Sequence, residues 1–174
     1  MDKNKPIFYD TDCLSCFLII GETFILESLF SKIILPIQSY REISNDSSPY
    51  IIKKNLEFLE KKGFIEIRNI SSESEEYKRY ILFTEGRWGR KKIGEGEASA
   101  ISLAIENNGI VASNNLKDVK SYADEYNFPI LTTAIILSKA VDKRIISENK
   151  ANDMWEKMLK RNRRLQTAHF QIII

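Results

Sequence analysis

The strongest constraint on the fold of this chain is an alternation of short segments rich in β-favouring residues with longer segments of helical periodicity. The predicted strands are 6–9, 33–35, 64–67, 110–112 and 129–131. In the second half of the chain strand and helix alternate throughout, which is typical of parallel strands joined by crossover helices. We therefore predict an α/β fold in three layers (α/β/α), in which helices cover both faces of a central parallel sheet of about five short strands.

The predicted helices fill the intervals between these strands. They are 11–20, 22–30, 36–43, 49–62, 71–83, 94–107, 116–126, 132–141 and 147–160. A chain of 174 residues with 43% hydrophobic content suits one domain with a substantial core, so we predict a single domain over residues 1–174. The apolar tail, 170–174, follows no turn signal, and the sequence leaves open whether it adds a strand or packs on the surface.

Charge, apolar segments and cysteines exclude several classes of protein. The 26 basic and 24 acidic residues give a net charge of +2, so any argument for nucleic-acid binding must be local. The longest apolar stretch, 13–20, is far short of a membrane span or secretory signal, and we expect a cytoplasmic protein. Cys13 and Cys16 have the spacing of half a zinc site or a redox pair, but no second cysteine pair follows. We interpret them as small apolar residues on a buried helix.

Carboxylate and amide side chains occur at four places close to predicted strand ends or on the helices between them. They are Asp10, Glu42, Glu97 and a cluster of Asn114, Asn115 and Asp118. Ligands commonly gather at the carboxyl ends of strands in α/β sheets. Several carboxylates that converge there would hold Mg²⁺ or Mn²⁺, hard ions that prefer oxygen ligands. The sequence therefore suggests a metal-dependent nuclease.

Four segments carry a resemblance to a known family, the PIN-domain ribonucleases, which include the toxins of bacterial VapBC-type toxin–antitoxin systems. The sequence Tyr-Asp-Thr-Asp-Cys-Leu at 9–14 resembles the opening strand of that family, and Ser-Tyr-Arg-Glu-Ile at 39–43 resembles its second acidic helix. Gly-Glu-Gly-Glu-Ala at 94–98 is similar to the helix start of its Gly-Glu-x-Glu-Ala branch, and 131–145 resembles the closing segment of that branch. The resemblance covers most of the chain and implies a PIN-like fold.

The resemblance also implies roles for the acidic residues. The implied catalytic residues are Asp10, Glu42, Glu97 and Asp118, and the implied ligands for Mg²⁺ or Mn²⁺ are Asp10, Glu97, Asn115 and Asp118. A bound ion would relieve the repulsion between carboxylates and lower the pKa of a bound water. Glu95 lies two residues before Glu97 and so on another helix face, from which it would reach the ion through water or not at all.

The fourth place departs from the family pattern. Family members commonly carry Thr or Ser, one variable residue and then Asp after the fourth strand, whereas this chain has Ser-Asn-Asn at 113–115. An amide oxygen can coordinate a metal but brings no charge. Asp118 follows about one helical turn later and would restore a carboxylate if it points inward. The departure leaves both metal affinity and activity open.

A basic loop ahead of Glu97, residues 86–94, is the predicted substrate contact. The predicted substrate-binding residues are Arg87, Trp88, Arg90, Lys91, Lys92 and Ser113. The loop cations would neutralise phosphates and the indole would stack on an unpaired base, although a solvated charged face is the common alternative. A second basic patch ends the last helix and consists of Lys160, Arg161, Arg163 and Arg164. There the C-terminal helix dipole is the safer explanation.

The leading hypothesis is a Mg²⁺- or Mn²⁺-dependent endoribonuclease that hydrolyses RNA phosphodiester bonds, as the toxin of a toxin–antitoxin system or as a defence-associated nuclease. Its partners would be RNA, an antitoxin protein if one exists, and a second copy of the chain, because the family often forms homodimers. The alternative is a catalytically weakened PIN-like module that binds nucleic acid or a partner protein. A third hypothesis, a phosphatase of the haloacid-dehalogenase type, would use the Asp-Thr-Asp at 10–12, but the order of the later acids fits it less well.

Overall fold

Five short strands form one parallel sheet at the centre of the computed structural model, which describes residues 5–87 and 89–173. The strands are β1 (Ile7–Tyr9), β2 (Ile33–Pro36), β3 (Ile65–Arg68), β4 (Ile110–Ala112) and β5 (Ile130–Leu131). Their order in the sheet is β3-β2-β1-β4-β5, and every neighbouring pair is parallel. The chain leaves β1 in one direction for β2 and β3 and returns on the other side for β4 and β5. The carboxyl ends of β1 and β4 therefore flank the crevice where ligands bind in such sheets.

Helices cover both faces of the sheet. They are α1 (Thr11–Ile20), α2 (Phe24–Leu29), α3 (Ile37–Ser44), α4 (Tyr50–Lys61), α5 (Glu75–Glu85), α6 (Glu95–Glu106), α7 (Leu116–Tyr126), α8 (Thr133–Asp142) and α9 (Glu148–Lys160). The predicted three-layer α/β/α fold is confirmed. None of the helices in the described ranges is long and apolar enough to cross a membrane.

Strands β1, β2, β4 and β5 are apolar along their whole length because each face of the sheet meets a separate core, whereas the edge strand β3 carries Glu66 and Arg68. Ile7 and Tyr9 point into one core, while Phe8 between them points into the other, as the two-residue period of a strand requires. The first core receives buried residues from α1, α2, α3, α4, α8 and α9, and the second from α5, α6 and α7. Burial on both faces explains why the strands read as continuous apolar runs rather than as alternating patterns.

Two helices differ by more than one residue from the sequence-based expectation. The helix predicted at 22–30 is α2, shorter at both ends, because Gly21 ends α1 in the left-handed conformation with φ of 72° and α2 restarts only after Thr23. The helix predicted at 71–83 begins instead at Glu75, since the Ser74 hydroxyl caps it by accepting from Tyr77 N at 3.2 Å. The acidic, serine-rich stretch before it is a turn rather than the first turn of a helix.

The apolar tail packs on the body of the protein and forms no strand over residues 170–173. Phe170 is buried and lies 5.7 Å from the ring of Trp155 on α9, and Ile173 N donates to Ser138 Oγ at 2.9 Å. Cys13 and Cys16 are both free and buried on α1, which confirms their interpretation as core residues.

Candidate active site

The first predicted acid, Asp10, lies where β1 passes into α1. Its backbone N–H donates to Ala112 O at 2.9 Å, which continues the pairing of β1 with β4 by one residue. One carboxylate oxygen caps α1 by accepting from Thr11 N at 2.7 Å, and the other accepts from Ser113 Oγ at 3.2 Å. Asp10 is 4% exposed. The residue is thus a helix cap, as its position at a strand-to-helix junction allows, and also a buried carboxylate at the crevice.

A cavity of about 270 Å³ opens at this edge of the sheet. Its lining comprises Asp10, Thr11, Asp12, Glu42, Gly94, Gly96, Glu97, Asn114, Asn115, Arg164 and Leu165. Three predicted catalytic carboxylates, Asp10, Glu42 and Glu97, therefore meet in one pocket although 87 positions of chain separate the first from the last. A larger cleft of about 770 Å³ lies at the opposite edge of the sheet, beside Pro6, and contains none of these acids.

Gly96 explains how α6 approaches the other carboxylates so closely. A Cβ at this position would lie 3.0 Å from Asp10 Oδ1, 3.0 Å from Glu42 Oε2 and 3.2 Å from Ser39 Oγ. Its backbone N–H donates to Glu42 Oε1 at 3.3 Å, and the other oxygen of Glu42 accepts from Thr11 Oγ1 at 2.6 Å. A side chain at position 96 would displace these side-chain tips by a few tenths of an ångström, so glycine is favoured here by space rather than by backbone conformation.

Glu97 is the most buried glutamate of the site, at 8% exposure, whereas Glu95 on the same helix is exposed. Desolvation by burial raises the pKa of Glu97 to about 7, and the charges of Asp118 and Asp12 add to the rise, against a hydrogen bond from Asn115. The contrast between the two glutamates follows from their spacing of two on a helix. Glu97 thus faces the pocket and Glu95 faces solvent.

Mutual repulsion among the acids accompanies this burial. Burial raises the pKa of Asp10 well above its ordinary value, and the negative charges of Asp12, Glu97 and Glu42 act in the same direction. The pKa of Asp12 is also raised, again with burial as the main cause, although hydrogen bonds from the backbone of Asn114 and Cys13 oppose it. The pocket therefore concentrates negative charge at a cost that a bound cation would relieve.

At the fourth predicted place, the two asparagines, Asn114 and Asn115, make different contacts. The amide of Asn115 donates to Glu97 Oε1 at 2.6 Å and to Asp118 Oδ2 at 2.9 Å, so Asp118 does lie beside the pocket. Burial disfavours ionisation of Asp118, but hydrogen bonds from Lys91 and Asn115 outweigh it and lower its pKa. Asn115 thus connects Glu97 to a carboxylate that stays charged.

Asn114 is turned away from the acids and holds the scaffold together. Its Oδ1 accepts from Thr133 N at 2.9 Å, its Nδ2 donates to Thr133 Oγ1 at 2.9 Å, and its backbone N–H donates to Asp12 Oδ1 at 3.0 Å. The PIN resemblance had assigned no role to Asp12, which appeared only in the phosphatase hypothesis. The signal that could have found it is its place two residues after Asp10, in the first turn of α1, on the crevice side of the sheet.

The predicted substrate-contact loop carries ion pairs of its own. Arg90 makes a bidentate pair with Glu125 at 2.5 Å and lies over the rings of Tyr122 and Tyr126. Arg87 pairs with Glu85, and Lys91 pairs with Asp118, so Lys91 reaches the edge of the site.

The other predicted substrate contacts differ in position. Lys92 is exposed, whereas Ser113 is fully buried and directs its hydroxyl to Asp10. Trp88 lies outside the described residues.

The donor set and the space suit a divalent cation. Four carboxylates, from Asp10, Asp12, Glu42 and Glu97, line one cavity, and carboxylate oxygens are the ligands Mg²⁺ and Mn²⁺ prefer. Within residues 5–87 and 89–173, however, no three Asp, Glu, His or Cys side chains are arranged to close on one ion. Ser113, Thr11 and Asn115 each donate a hydrogen bond to one carboxylate oxygen of Asp10, Glu42 and Glu97, respectively. Binding would thus exchange hydrogen bonds for ligands by rotation of these side chains.

The parallel sheet, with acids gathered at its switch point, places this chain among the α/β proteins whose site faces the carboxyl ends of the strands. A family model described as a PIN domain matches residues 6–174, and the chain therefore belongs to the PIN-domain family. PIN domains are generally nucleases that act on nucleic acid and use divalent metal ions. Comparison with curated proteins gives no match. Family membership replaces the phosphatase hypothesis.

Proposed function

We propose that this chain is a Mg²⁺- or Mn²⁺-dependent endoribonuclease that hydrolyses single-stranded or looped RNA. The observation that carries the proposal is the convergence of Asp10, Asp12, Glu42 and Glu97 in one cavity, where Gly96 lets α6 approach Asp10 and Glu42. Family membership supports the nuclease class.

Asp10 and Glu97 are the carboxylates that would hold the ion, because both are buried and face the cavity. Asp118 would hold it from the edge through its carboxylate, and Asn115 would do so through its amide oxygen after a flip of the amide, whose nitrogen faces Glu97 and Asp118 in the metal-free protein. When bound, the ion would supply a water of lowered pKa and neutralise charge on the phosphate. Ser113 and Thr11 donate hydrogen bonds to Asp10 and Glu42, and Asn114 N–H donates one to Asp12, so these contacts hold the acids until an ion replaces them.

The experiment is cleavage of a mixed single-stranded RNA pool by the full chain in Mg²⁺ or Mn²⁺, with EDTA and with Glu97→Gln. Glu95→Gln is the matched control, because it removes the same charge two residues away on the exposed side of α6. We expect cleavage by the unmodified chain and by Glu95→Gln, and none after chelation or in Glu97→Gln. Cleavage that survives both chelation and Glu97→Gln would contradict the proposal.

A second candidate is the catalytically weakened PIN-like module. The observation in its favour is the amide of Asn115, which already bridges Glu97 and Asp118 without an ion. Such a module would retain RNA in a gel-shift assay in Mn²⁺ and leave it uncut. Cleavage in the same reactions would eliminate this candidate.

We further propose a role as the toxin of a toxin–antitoxin pair or as a defence-associated nuclease, acting in the cytoplasm where RNA is available. A protein partner, either an antitoxin or a second copy, is supported by Tyr50, Ile51 and Phe58 on one face of α4, with exposures of 77%, 36% and 54%. Growth arrest on expression, absent with Glu97→Gln and relieved by a small protein encoded upstream, would support the toxin role. Light scattering of Phe58→Glu beside the unmodified chain would test the homodimer.

A further inference from the structure

The segment after α9 crosses the carboxyl edge of the sheet and forms one wall of the acidic cavity. Gln166 Nε2 donates to both Asn114 O and Asn114 Oδ1 at 3.2 Å, which ties the segment to the end of β4. Beyond that point Trp155 Nε1 donates to Thr167 O at 3.1 Å, and Phe170 packs against the same indole. The chain is therefore attached to the end of β4 and to α9 from Gln166 onward, and residues 164 and 165, which lie between the end of α9 at Lys160 and Gln166, line the cavity.

Arg164 is the cation that this segment places at the acids. It lines the same cavity as Asp10, Glu42 and Glu97, is exposed to solvent, and has no carboxylate within ion-pair distance among the described residues. Three cations of the 86–94 loop differ, because Arg87, Arg90 and Lys91 are each paired with a carboxylate. Arg164 thus retains the hydrogen-bonding fork that a phosphate would take.

The helix dipole does not account for Arg164. The last carbonyls of α9 accept from backbone groups, since Arg161 N donates to Lys157 O at 3.2 Å and Arg163 N to Met158 O at 3.1 Å. The dipole effect also decays within the last turn of a helix, whereas residue 164 lies four positions after Lys160. The helix dipole therefore explains the positions of Lys160 and Arg161, whereas the position of Arg164 is explained by the acidic cavity that it lines.

A pocket of carboxylates repels the phosphodiester that a nuclease must bring into it. The strongest charge effects on Asp10 come from Asp12, Glu97 and Glu42, all negative. A cation at the wall of such a pocket lowers the energy of a phosphate there, and guanidinium matches two phosphate oxygens at once.

We propose that Arg164 is a substrate-binding residue that holds an RNA phosphate at the mouth of the acidic cavity, and that the segment tied down by Gln166 exists in part to present it. This inference rests on the proposed function for its substrate class. It gives the C-terminal segment a role in the site: α9 ends, the chain crosses the acids, and the packed tail fixes the crossing.

The test measures RNA binding separately from cleavage. A fluorescent single-stranded RNA is titrated with full-length Glu97→Gln protein carrying in addition Arg164→Gln, Arg164→Lys or Arg161→Gln, and anisotropy is followed over a range of KCl concentrations. Arg161→Gln is the matched control because it removes the same charge three residues earlier, outside the cavity lining. Thermal unfolding of each variant reports on folding, and Arg164→Lys keeps the charge while it removes the fork.

We expect Arg164→Gln to weaken binding about tenfold and to reduce the slope of log K against log[KCl] by about 0.7, the value for one phosphate contact on a single strand. The RNA affinity of Arg164→Lys should lie between that of the parent protein and that of Arg164→Gln. Arg161→Gln should change the affinity less than about twofold. On the active chain, Arg164→Gln should raise KM more than it lowers kcat.

Equal effects of Arg164→Gln and Arg161→Gln would overturn the inference, as would tighter binding by Arg164→Gln, which would make Arg164 a counter-ion of the acids. Absence of any RNA binding by the Glu97→Gln protein would also overturn it. If the unmodified chain cuts RNA and Arg164→Gln binds normally, the proposed function stands and this inference fails. If no cleavage occurs but Arg164→Gln alone loses binding, the inference stands and the catalytic proposal fails.

Discussion

Glu97 and Glu95 show how one turn of helix assigns different chemistry to the same side chain. Both occur in the first turn of α6, yet only Glu97 is buried, hydrogen-bonded to Asn115 and raised in pKa to about 7. A buried carboxylate that repels its neighbours destabilises the fold while it prepares a cation site, so function and stability should oppose each other at this residue.

Glu97→Gln should therefore stabilise the metal-free protein at pH 8. The amide keeps an oxygen for Asn115 and removes the buried charge, with a gain of about 1–2 kcal/mol after allowance for water that reaches the pocket. Urea unfolding in EDTA measures this gain in the free energy of unfolding. Glu95→Gln is the control and should change the free energy of unfolding by less than about 0.5 kcal/mol. If Glu97→Gln were less stable than the unmodified chain at pH 8, the buried carboxylate charge of Glu97 would not destabilise the fold.

Gly96→Ala should reduce cleavage at least about tenfold, which corresponds to about 1.4 kcal/mol in the barrier. Its methyl group would lie 3.0 Å from oxygens of both Asp10 and Glu42 and would displace both carboxylates from their positions in the cavity. Gly94→Ala is the control, because a Cβ there meets Glu97 Oε2 at an ordinary 3.8 Å. The measurement is the initial cleavage rate of each variant. Equal rates for Gly96→Ala and Gly94→Ala would contradict the proposed spacing role of Gly96.

At the scale of elements, Asn114 connects three segments that meet at the crevice. It follows β4, and its side chain receives and donates hydrogen bonds at Thr133 on α8 while Gln166 of the C-terminal segment donates to it. These contacts leave no room for a role as metal ligand. Asn114 positions the walls of the site, and its neighbour Asn115 meets the acids.

Asn114→Ala should destabilise the protein by about 2–3 kcal/mol, because it leaves the buried Thr133 N–H without an acceptor. Asn115→Ala, one residue further and only half-buried, should cost less than about 1 kcal/mol. Chemical denaturation of both variants gives the comparison. A reversed order would contradict the separation of roles drawn between the two asparagines.

The sequence predicted the elements well because apolar periodicity is local. All five strands were found from β-favouring runs, and the fold class followed from their alternation with helices. Two helix starts were wrong because a cap at Ser74 and a left-handed Gly21 act through single hydrogen bonds and dihedral angles that periodicity does not record.

The candidate site was predicted less completely for a different reason. The convergence of Asp10, Glu42 and Glu97 was implied by their order along the chain and by the PIN resemblance, but the contacts of Asp12, Gly96 and Arg164 depend on which strands are neighbours. Nothing in positions 160–164 showed that the chain turns back over β4 after α9. Such contacts over about fifty residues or more are set by topology, which a single sequence constrains only weakly.

At the scale of the molecule, the acids of the pocket should make the metal-free protein less stable as pH rises. Burial and like charge raise the pKa values of Asp10, Asp12 and Glu97, so the folded state holds protons that the unfolded chain has lost. Unfolding then releases protons, and stability falls with pH. For Glu97 the window runs from its ordinary 4.5 to about 7.

Thermal unfolding in EDTA should therefore give a higher midpoint at pH 5 than at pH 8, and Glu97→Gln should make the profile flatter. Mn²⁺ should raise the midpoint more at pH 8 than at pH 5, because protons and the cation compete for the same carboxylates. A midpoint that rises steadily from pH 5 to pH 8 in EDTA, with no difference between the two proteins, would contradict this electrostatic description.

The most direct test of the central claim, that the acidic pocket binds a divalent cation through Asp10, is calorimetric titration of the full chain with Mn²⁺ at pH 8. We predict saturable binding by the unmodified protein and by Glu95→Gln, and its loss in Asp10→Asn. Absence of binding by the unmodified protein, or binding unchanged in Asp10→Asn, would contradict the account.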